Sequence, residues 1–258
     1  MERTLTGKVA VVTGASSGIG EATVLELASR GASVVAAARS VDKLEELAAR
    51  TAAYGVRISE TDVADRGSVE AMVGGVAGVL GRIDVLVNNA GLGLSGRIAE
   101  LRAEDLRYVF EVNTVGPLNC VQAALPHMEG GGRIINVSSV VGKRVIPKVG
   151  GYCSTKFALN ALSDALRVEV AGRGVSVTTV YPGTTRTSFR DNSRRTKDEK
   201  RGWRPRGVGP ERVAKKIADA AERGPRDVYV TLSDRLFVAG VTLMPGLTDR
   251  VLRSWAED

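Results

Sequence analysis

The stretch KVAVVTGASSGIGEATVLELASR, residues 8–30, decides how the fold is read. Its opening, KVAVVT at 8–13, is a short and nearly unbroken apolar run, the pattern of a strand covered on both faces of a parallel sheet. A helical pattern follows. The join, TGASSGIG at 13–20, places Gly14, Gly18 and Gly20 where a strand has to turn sharply into a helix. Spaced glycines alone mark only a tight turn. In this strand-turn-helix setting they form a cradle for a diphosphate, with Ser16, Ser17 and Ile19 in the turn and the helix N-terminus pointing unpaired N–H groups at the anion.

Working outward, the same alternation continues. Strand patterns recur at 33–38, 56–60, 83–88, 133–138, 175–181 and 227–231, with helical patterns near 18–30, 42–53, 66–80, 103–128, 152–171 and 210–223. Such repetition predicts right-handed crossovers and an α/β fold, a doubly wound parallel sheet with helices on both faces. No repeat or low-complexity linker divides the chain, so residues 1–258 read as a single dinucleotide-binding domain. The polar stretch 188–208 follows the sixth strand, on the edge where ligand crevices form, and is a candidate substrate lid; a solvated loop is the plainer alternative. Residues 232–258 form a C-terminal extension. Within it Leu247, Val251, Leu252 and Trp255 make one apolar helical stripe after Pro245-Gly246. Packing on the chain's own domain is its plainest use, ahead of a partner subunit and, last, a membrane surface.

Composition narrows the class. With 43% hydrophobic and 25% charged residues the chain has ample material for a core. Two cysteines, Cys120 and Cys153, make no disulfide framework, and the single histidine, His127, has no ligand cluster around it, so no metal is expected. The first apolar run leads into the glycine turn instead of a cleavage site, and LFVAGVTLM at 236–244 is too short to span a bilayer, so a cytoplasmic protein is expected. The net charge is +7, but 190–206 holds eight basic and three acidic residues, 8 − 3 = +5, leaving +2 for the remainder. Without interleaved aromatics beyond Phe189 and Trp203 or a groove-reading motif, nucleic acid is not an expected partner.

The second strand ends AAARS at 36–40, without the carboxylate that would accept from ribose hydroxyls and repel a 2′-phosphate. Arg39 offers a guanidinium there instead, which predicts NADP over NAD. Asp62 and Val63, in TDV at 61–63, end the third strand, placing a carboxylate within reach of an adenine amino group. NNAG at 88–91 ends the fourth: Asn89 ties neighbouring strands, and Ala90 and Gly91 leave room for a flat cofactor. Turn chemistry alone would also explain these residues.

YCSTK at 152–156 sets Tyr152 and Lys156 one helical turn apart on one face. An ammonium beside a phenol favours phenolate, whereas burial alone would raise the phenol's pKa. The pair is therefore a candidate acid/base that does without histidine. Thirteen residues earlier Ser139, next to Ser138, offers a hydroxyl to a substrate oxygen that gains negative charge.

TGASSGIG, NNAG, Asn113 in VNTVGP, Ser139, YCSTK and YPGTTRT at 181–187 resemble, in order and spacing, the short-chain dehydrogenase/reductase family over roughly residues 6–187. The resemblance implies an extended Rossmann-like sheet of about seven strands, Tyr152 as acid/base, Ser139 orienting the reacting oxygen, and Lys156 also holding the nicotinamide ribose. It implies that Asn113 supports a water-linked proton relay and that Pro182, Gly183 and Thr187 lie along the nicotinamide. Self-association as a homo-oligomer, dimer or tetramer, through helices matching 103–128 and 152–171 is implied as well. The expected activity is NADP-dependent hydride transfer between nicotinamide and a small-molecule carbonyl or secondary alcohol; a catalytically silent NADP-binding sensor of the same fold is the alternative. Val140, Val141, Val145, Ile146 and Val149 point to a hydrophobic substrate, and the basic 188–208 segment to an anionic one. Beyond 187 the likeness weakens.

Overall fold

The computed structural model describes residues 4–128, 130–196 and 207–257. Seven strands form one parallel sheet: β1 (Val9–Thr13), β2 (Ser33–Ala38), β3 (Arg57–Glu60), β4 (Val85–Asn88), β6 (Arg133–Val137), β7 (Ser176–Tyr181) and β9 (Asp227–Tyr229), in the order β3-β2-β1-β4-β6-β7-β9. Two-residue strands β5 (Leu94–Ser95) and β8 (Arg194–Arg195) pair in parallel apart from it.

The near-continuous apolar strands have the expected consequence. Ala10 and Val12 of β1 join one core cluster, while Val9 and Val11 join another on the opposite face. Helices α1 (Gly18–Ser29), α2 (Val41–Arg50) and α7 (Pro210–Arg223) contribute Val24, Leu27, Leu44, Leu47, Val213 and Ile217 to the first. Helices α3 (Arg66–Leu80) and α5 (Gly116–Ala124) contribute Val69, Met72, Val73, Val76, Cys120 and Val121 to the second. Each such side chain, fully covered, stabilises the fold by about 1.5–3 kcal/mol relative to exposure. The fold is the doubly wound α/β sheet expected of the sequence.

Strand order reverses between β1 and β4, so the ligand crevice lies beyond their carboxyl ends, at Gly14 and at Asn88–Gly91. Helix α6 (Gly150–Glu169) runs beside this crevice.

Three local features differ from the sequence reading. The pattern 103–128 is not one helix: α4 (Ala103–Phe110) gives way to a π-helical turn, Glu111–Val115, before α5, and Leu125–His127 closes as a 3-10 turn. The tail forms two helices, α8 (Leu232–Leu243) and α9 (Pro245–Glu257), the first opened by a capping box between Thr231 and Asp234. Leu247 and Val251 on α9 stand 55% and 59% exposed, so packing on the chain's own domain does not account for them. Among the described residues no helix is long and apolar enough to cross a membrane.

Candidate active site

The glycine turn leaves the backbone bare where β1 meets α1. Gly14 adopts φ +64°, and a Cβ there would lie 2.7 Å from the Ala90 Cα. On Gly20 a Cβ would stand 2.2 Å from the Gly14 carbonyl oxygen; Gly18, at φ +58°, would meet Thr187 Cγ2 at 2.9 Å. Only glycine fits these positions. Ser17 occupies the N-cap of α1 with extended backbone and no side-chain capping bond, so its hydroxyl is not spent on the helix. These residues fit a nucleotide diphosphate, which gains the backbone donors and the positive end of the helix dipole.

Asn89 ties β4 to β1, donating from Nδ2 to the carbonyls of Thr13 (2.9 Å) and Gly14 (3.2 Å). The Thr13 hydroxyl in turn accepts from the backbone N–H groups of Asn89 (3.0 Å) and Ala90 (3.1 Å). Thr13, which the sequence reading passed over as a strand residue, therefore positions the NNAG turn. Asp62 accepts from the Ala64 N–H at 3.0 Å and lies 3.8 Å from Arg39, and the Val63 carbonyl accepts from Asn119 Nδ2 at 3.1 Å. Arg39 also donates from Nη1 to the Tyr108 hydroxyl at 2.7 Å.

Asn113 sits in the π-helical turn, buried. Its Oδ1 accepts from the Leu92 N–H at 2.8 Å, while Nδ2 donates to the Leu92 carbonyl (2.9 Å) and to Thr155 Oγ1 (3.0 Å). The wide turn thus aims one amide at both the loop after β4 and helix α6. Gly91 leaves the space beside it: a Cβ there would lie 3.3 Å from Asn113 Oδ1 and 3.7 Å from Lys156 Nζ.

Tyr152 and Lys156 share one face of α6 as their spacing requires. Lys156 is 4% exposed, donates to the Val137 carbonyl at 2.9 Å, and its Nζ lies 5.8 Å from the centroid of the Tyr152 ring. Ser138 and Ser139 part company. Ser138 is buried, its Oγ without a hydrogen-bond partner among the described residues, whereas Ser139 lies beside the Tyr152 phenol and donates to the Pro182 carbonyl at 3.4 Å. Ser139 also accepts from the Val141 N–H at 3.3 Å.

The electrostatics correct one expectation. Burial is the largest influence on Tyr152 and pushes its phenol well above the ordinary value; Cys153 adds to this, and only the Ser139 hydroxyl works the other way. Among the chain's own groups, burial sets the direction. The same burial pushes Lys156 down to about 8.

After β7, Pro182 accepts at its carbonyl from the Val140 N–H at 3.1 Å. Gly183 faces α8, where a Cβ would lie 2.2 Å from Asp234 Oδ1, a neighbour that sequence spacing gave no sign of. Thr187 caps the short 3-10 turn Ser188–Arg190, its hydroxyl accepting from the Phe189 N–H. Of the candidate lid, residues 197–206, including Trp203, lie outside the described residues. Residues 188–196 run directly over the loop after β4. Arg194 and Thr196 donate their N–H groups to the carbonyls of Gly93 (3.0 Å) and Ser95 (3.1 Å), and a Cβ on Gly93 or Gly96 would collide with Ser193 or Thr196. Phe189 meets the Tyr152 ring edge-on at 5.6 Å between centroids. Neither contact is visible in the sequence, because β5–β8 pairing uses backbone atoms about 100 residues apart and follows no side-chain pattern.

A family model described as "short chain dehydrogenase" matches residues 8–198. Over 220 residues the chain is 40% identical to the glycine betaine reductase ATRR of Emericella nidulans, a match covering 83% of this chain and 17% of that much longer protein. The short chain dehydrogenase/reductase of Burkholderia phymatum, solved in complex with NAD, superposes with a TM-score of 0.85 at 26% identity, covering 95% of this chain and 96% of that one. The alcohol dehydrogenase of the archaeon Thermococcus sibiricus, complexed with 5-hydroxy-NADP, gives 0.77 at 32% identity over 86% and 95% of the two chains.

Proposed function

Because the chain belongs to the short-chain dehydrogenase family and is a nicotinamide-nucleotide-dependent oxidoreductase, we propose that it moves hydride between NADP and the carbonyl carbon of a ketone or the matching secondary alcohol. The bound nucleotide supplies or accepts the hydride; everything else falls to the chain's own groups. Tyr152 gives its phenolic proton to the substrate oxygen or takes one from it, and Ser139 donates to that oxygen as its negative charge grows. Lys156, fixed by the Val137 carbonyl, offers its remaining N–H donors to ribose hydroxyls. Asn113 holds the Leu92 loop and α6 in register around them.

One observation carries this reading: Tyr152 and Lys156 share one face of α6, with the Lys156 Nζ 5.8 Å from the Tyr152 ring centroid, beside Ser139 and in the space that Gly91 leaves open. A phenol with a raised pKa stays protonated at neutral pH, the form needed to donate to a ketone.

NADP is proposed over NAD from Arg39, since solved relatives hold either type of nucleotide and the family alone does not decide. Arg39 is 54% exposed at the end of β2, with no carboxylate at 36–41 to repel a 2′-phosphate. A hydrophobic substrate is favoured over an anionic one. Val145 is 45% exposed and Val140, Val141, Ile146 and Val149 are partly so, whereas Arg194 is paired with Asp105 and Arg195 with the Arg190 carbonyl. We also propose that residues 188–196 cover the substrate as the described part of a lid, and that α5 and α6 carry a homo-oligomer contact. The decisive experiment follows reduced-coenzyme consumption with NADPH or NADH against a panel of aliphatic and aromatic ketones. Turnover in the wild type and its loss in Tyr152→Phe support the proposal; tight NADPH binding without turnover of any carbonyl favours a sensor.

A further inference from the structure

We propose that Tyr108 is a positioning residue that couples the choice of coenzyme to the seating of the 188–196 segment. This rests on the proposed preference for a 2′-phosphorylated nucleotide. Tyr108, on α4, takes up two cations at once. Arg39 donates from Nη1 to its hydroxyl at 2.7 Å, and the Arg194 guanidinium lies 4.3 Å from its ring centroid. Arg39 ends the strand that would border the adenosine ribose. Arg194 belongs to β8, is paired with Asp105, and donates its backbone N–H to the Gly93 carbonyl at 3.0 Å. Five residues before Arg194 along the same segment, Phe189 rests against Tyr152.

The two cations compete through the ring. A cation over an aromatic face is held by the negative potential of the π-system. A second cation bonded to the phenol oxygen withdraws that potential and adds like-charge repulsion. A phosphate dianion is a stronger acceptor for a guanidinium than a neutral phenol is. Arg39 therefore leaves Tyr108 for a 2′-phosphate, and Arg194 then binds the ring more strongly, holding β8 on β5 and Phe189 on Tyr152. A coenzyme lacking that phosphate leaves Arg39 on the hydroxyl and the segment more loosely held.

The test measures hydrogen exchange at the Arg194 and Thr196 amides with saturating NADP or NAD, beside calorimetric affinities for both. In the wild type, exchange is expected to be slower with NADP than with NAD, by up to the roughly two- to fivefold that a whole exposed cation–π contact is worth. Tyr108→Phe keeps the ring but removes the acceptor for Arg39. It should abolish the exchange difference while calorimetry still shows NADP preferred. A difference that survives in Tyr108→Phe overturns the coupling, as does equal exchange with both coenzymes in a wild type that prefers NADP. Equal affinities in the wild type would defeat the coenzyme assignment itself and the coupling with it, and the calorimetric arm alone identifies that case.

Discussion

Lys156 is anchored by a backbone carbonyl, that of Val137 at 2.9 Å, and not by a carboxylate. A buried cation so held keeps its charge at a cost, which is why its pKa falls to about 8, and it lies 5.8 Å from the ring centre of a phenol whose own pKa is raised.

Stability against pH follows from that cost. The unfolded lysine titrates near its ordinary value of 10.5 and the folded one near 8, so between these values the unfolded chain binds more protons and stability rises with pH. Below pH 8 the penalty is fully present. The wild type should therefore gain up to about 3 kcal/mol relative to Lys156→Met between pH 8 and 10.5. Denaturant titration of both proteins across that window measures it, and a flat difference would refute the buried-cation account.

The phenol titrates with the opposite sign. Held protonated by burial, Tyr152 should support ketone reduction evenly through neutral pH, whereas alcohol oxidation, which needs phenolate, should climb about tenfold per pH unit. Tyr152→Phe should cost about 10²–10⁴ in kcat in either direction, and Ser139→Ala about 10². Oxidation that already reaches a plateau at pH 7 would mean the phenol is not held up.

Gly20→Ala would place a methyl 2.2 Å from the Gly14 carbonyl oxygen and 2.5 Å from Asn89 Nδ2, with backbone on one side and a committed donor on the other. The turn must shift, at about 1–3 kcal/mol. Calorimetry should show nucleotide affinity reduced at least about tenfold, with a lowered Tm.

Asn113→Ala removes the partner of both backbone groups of Leu92, while the Thr155 hydroxyl keeps its bond to the Tyr152 carbonyl. Leaving polar groups unpaired costs up to about 1–3 kcal/mol where water is excluded and less at the half-buried Leu92, so the thermal midpoint should fall.

The outer face of α5 and α6 carries a shallow hollow of about 110 Å³ lined by Pro117, Leu118, Val121, Leu159, Leu162 and Leu166. Leu118 is 38% and Leu162 40% exposed. If this face joins copies of the chain, Leu118→Glu with Leu162→Glu should reduce the mass seen by light scattering to that of one chain, with the fold intact by circular dichroism. An unchanged mass would move the contact elsewhere.

The sheet and the glycine cradle were legible because each depends on local pattern: apolar strands covered on both faces, and turns that only glycine can make. Tyr152 and Lys156 were legible as a pair because helical geometry fixes their shared face. What was not legible depends on distant partners. The break in 103–128 falls where Asn113 reaches Leu92 and Thr155, and helical periodicity on either side carries no trace of it. The pairing of Leu94–Ser95 with Arg194–Arg195 involves backbone alone. Helix α8 escapes notice because apolar residues surround it: Val238 and Val241 are buried, yet Leu236 and Leu243 are exposed. The balance on Tyr152 required knowing its burial, which no spacing reveals.

The π-helical turn at Glu111–Val115 has a consequence for how this chain can change length. Each residue removed from a helix rotates all that follows by about 100°. Deleting one residue here would restore regular i to i+4 bonding and so relieve a local irregularity, yet it would swing the Asn113 amide off Leu92 or misalign Cys120 and Val121 in the core. A shortening that favours the isolated helix should therefore be lethal to the folded enzyme.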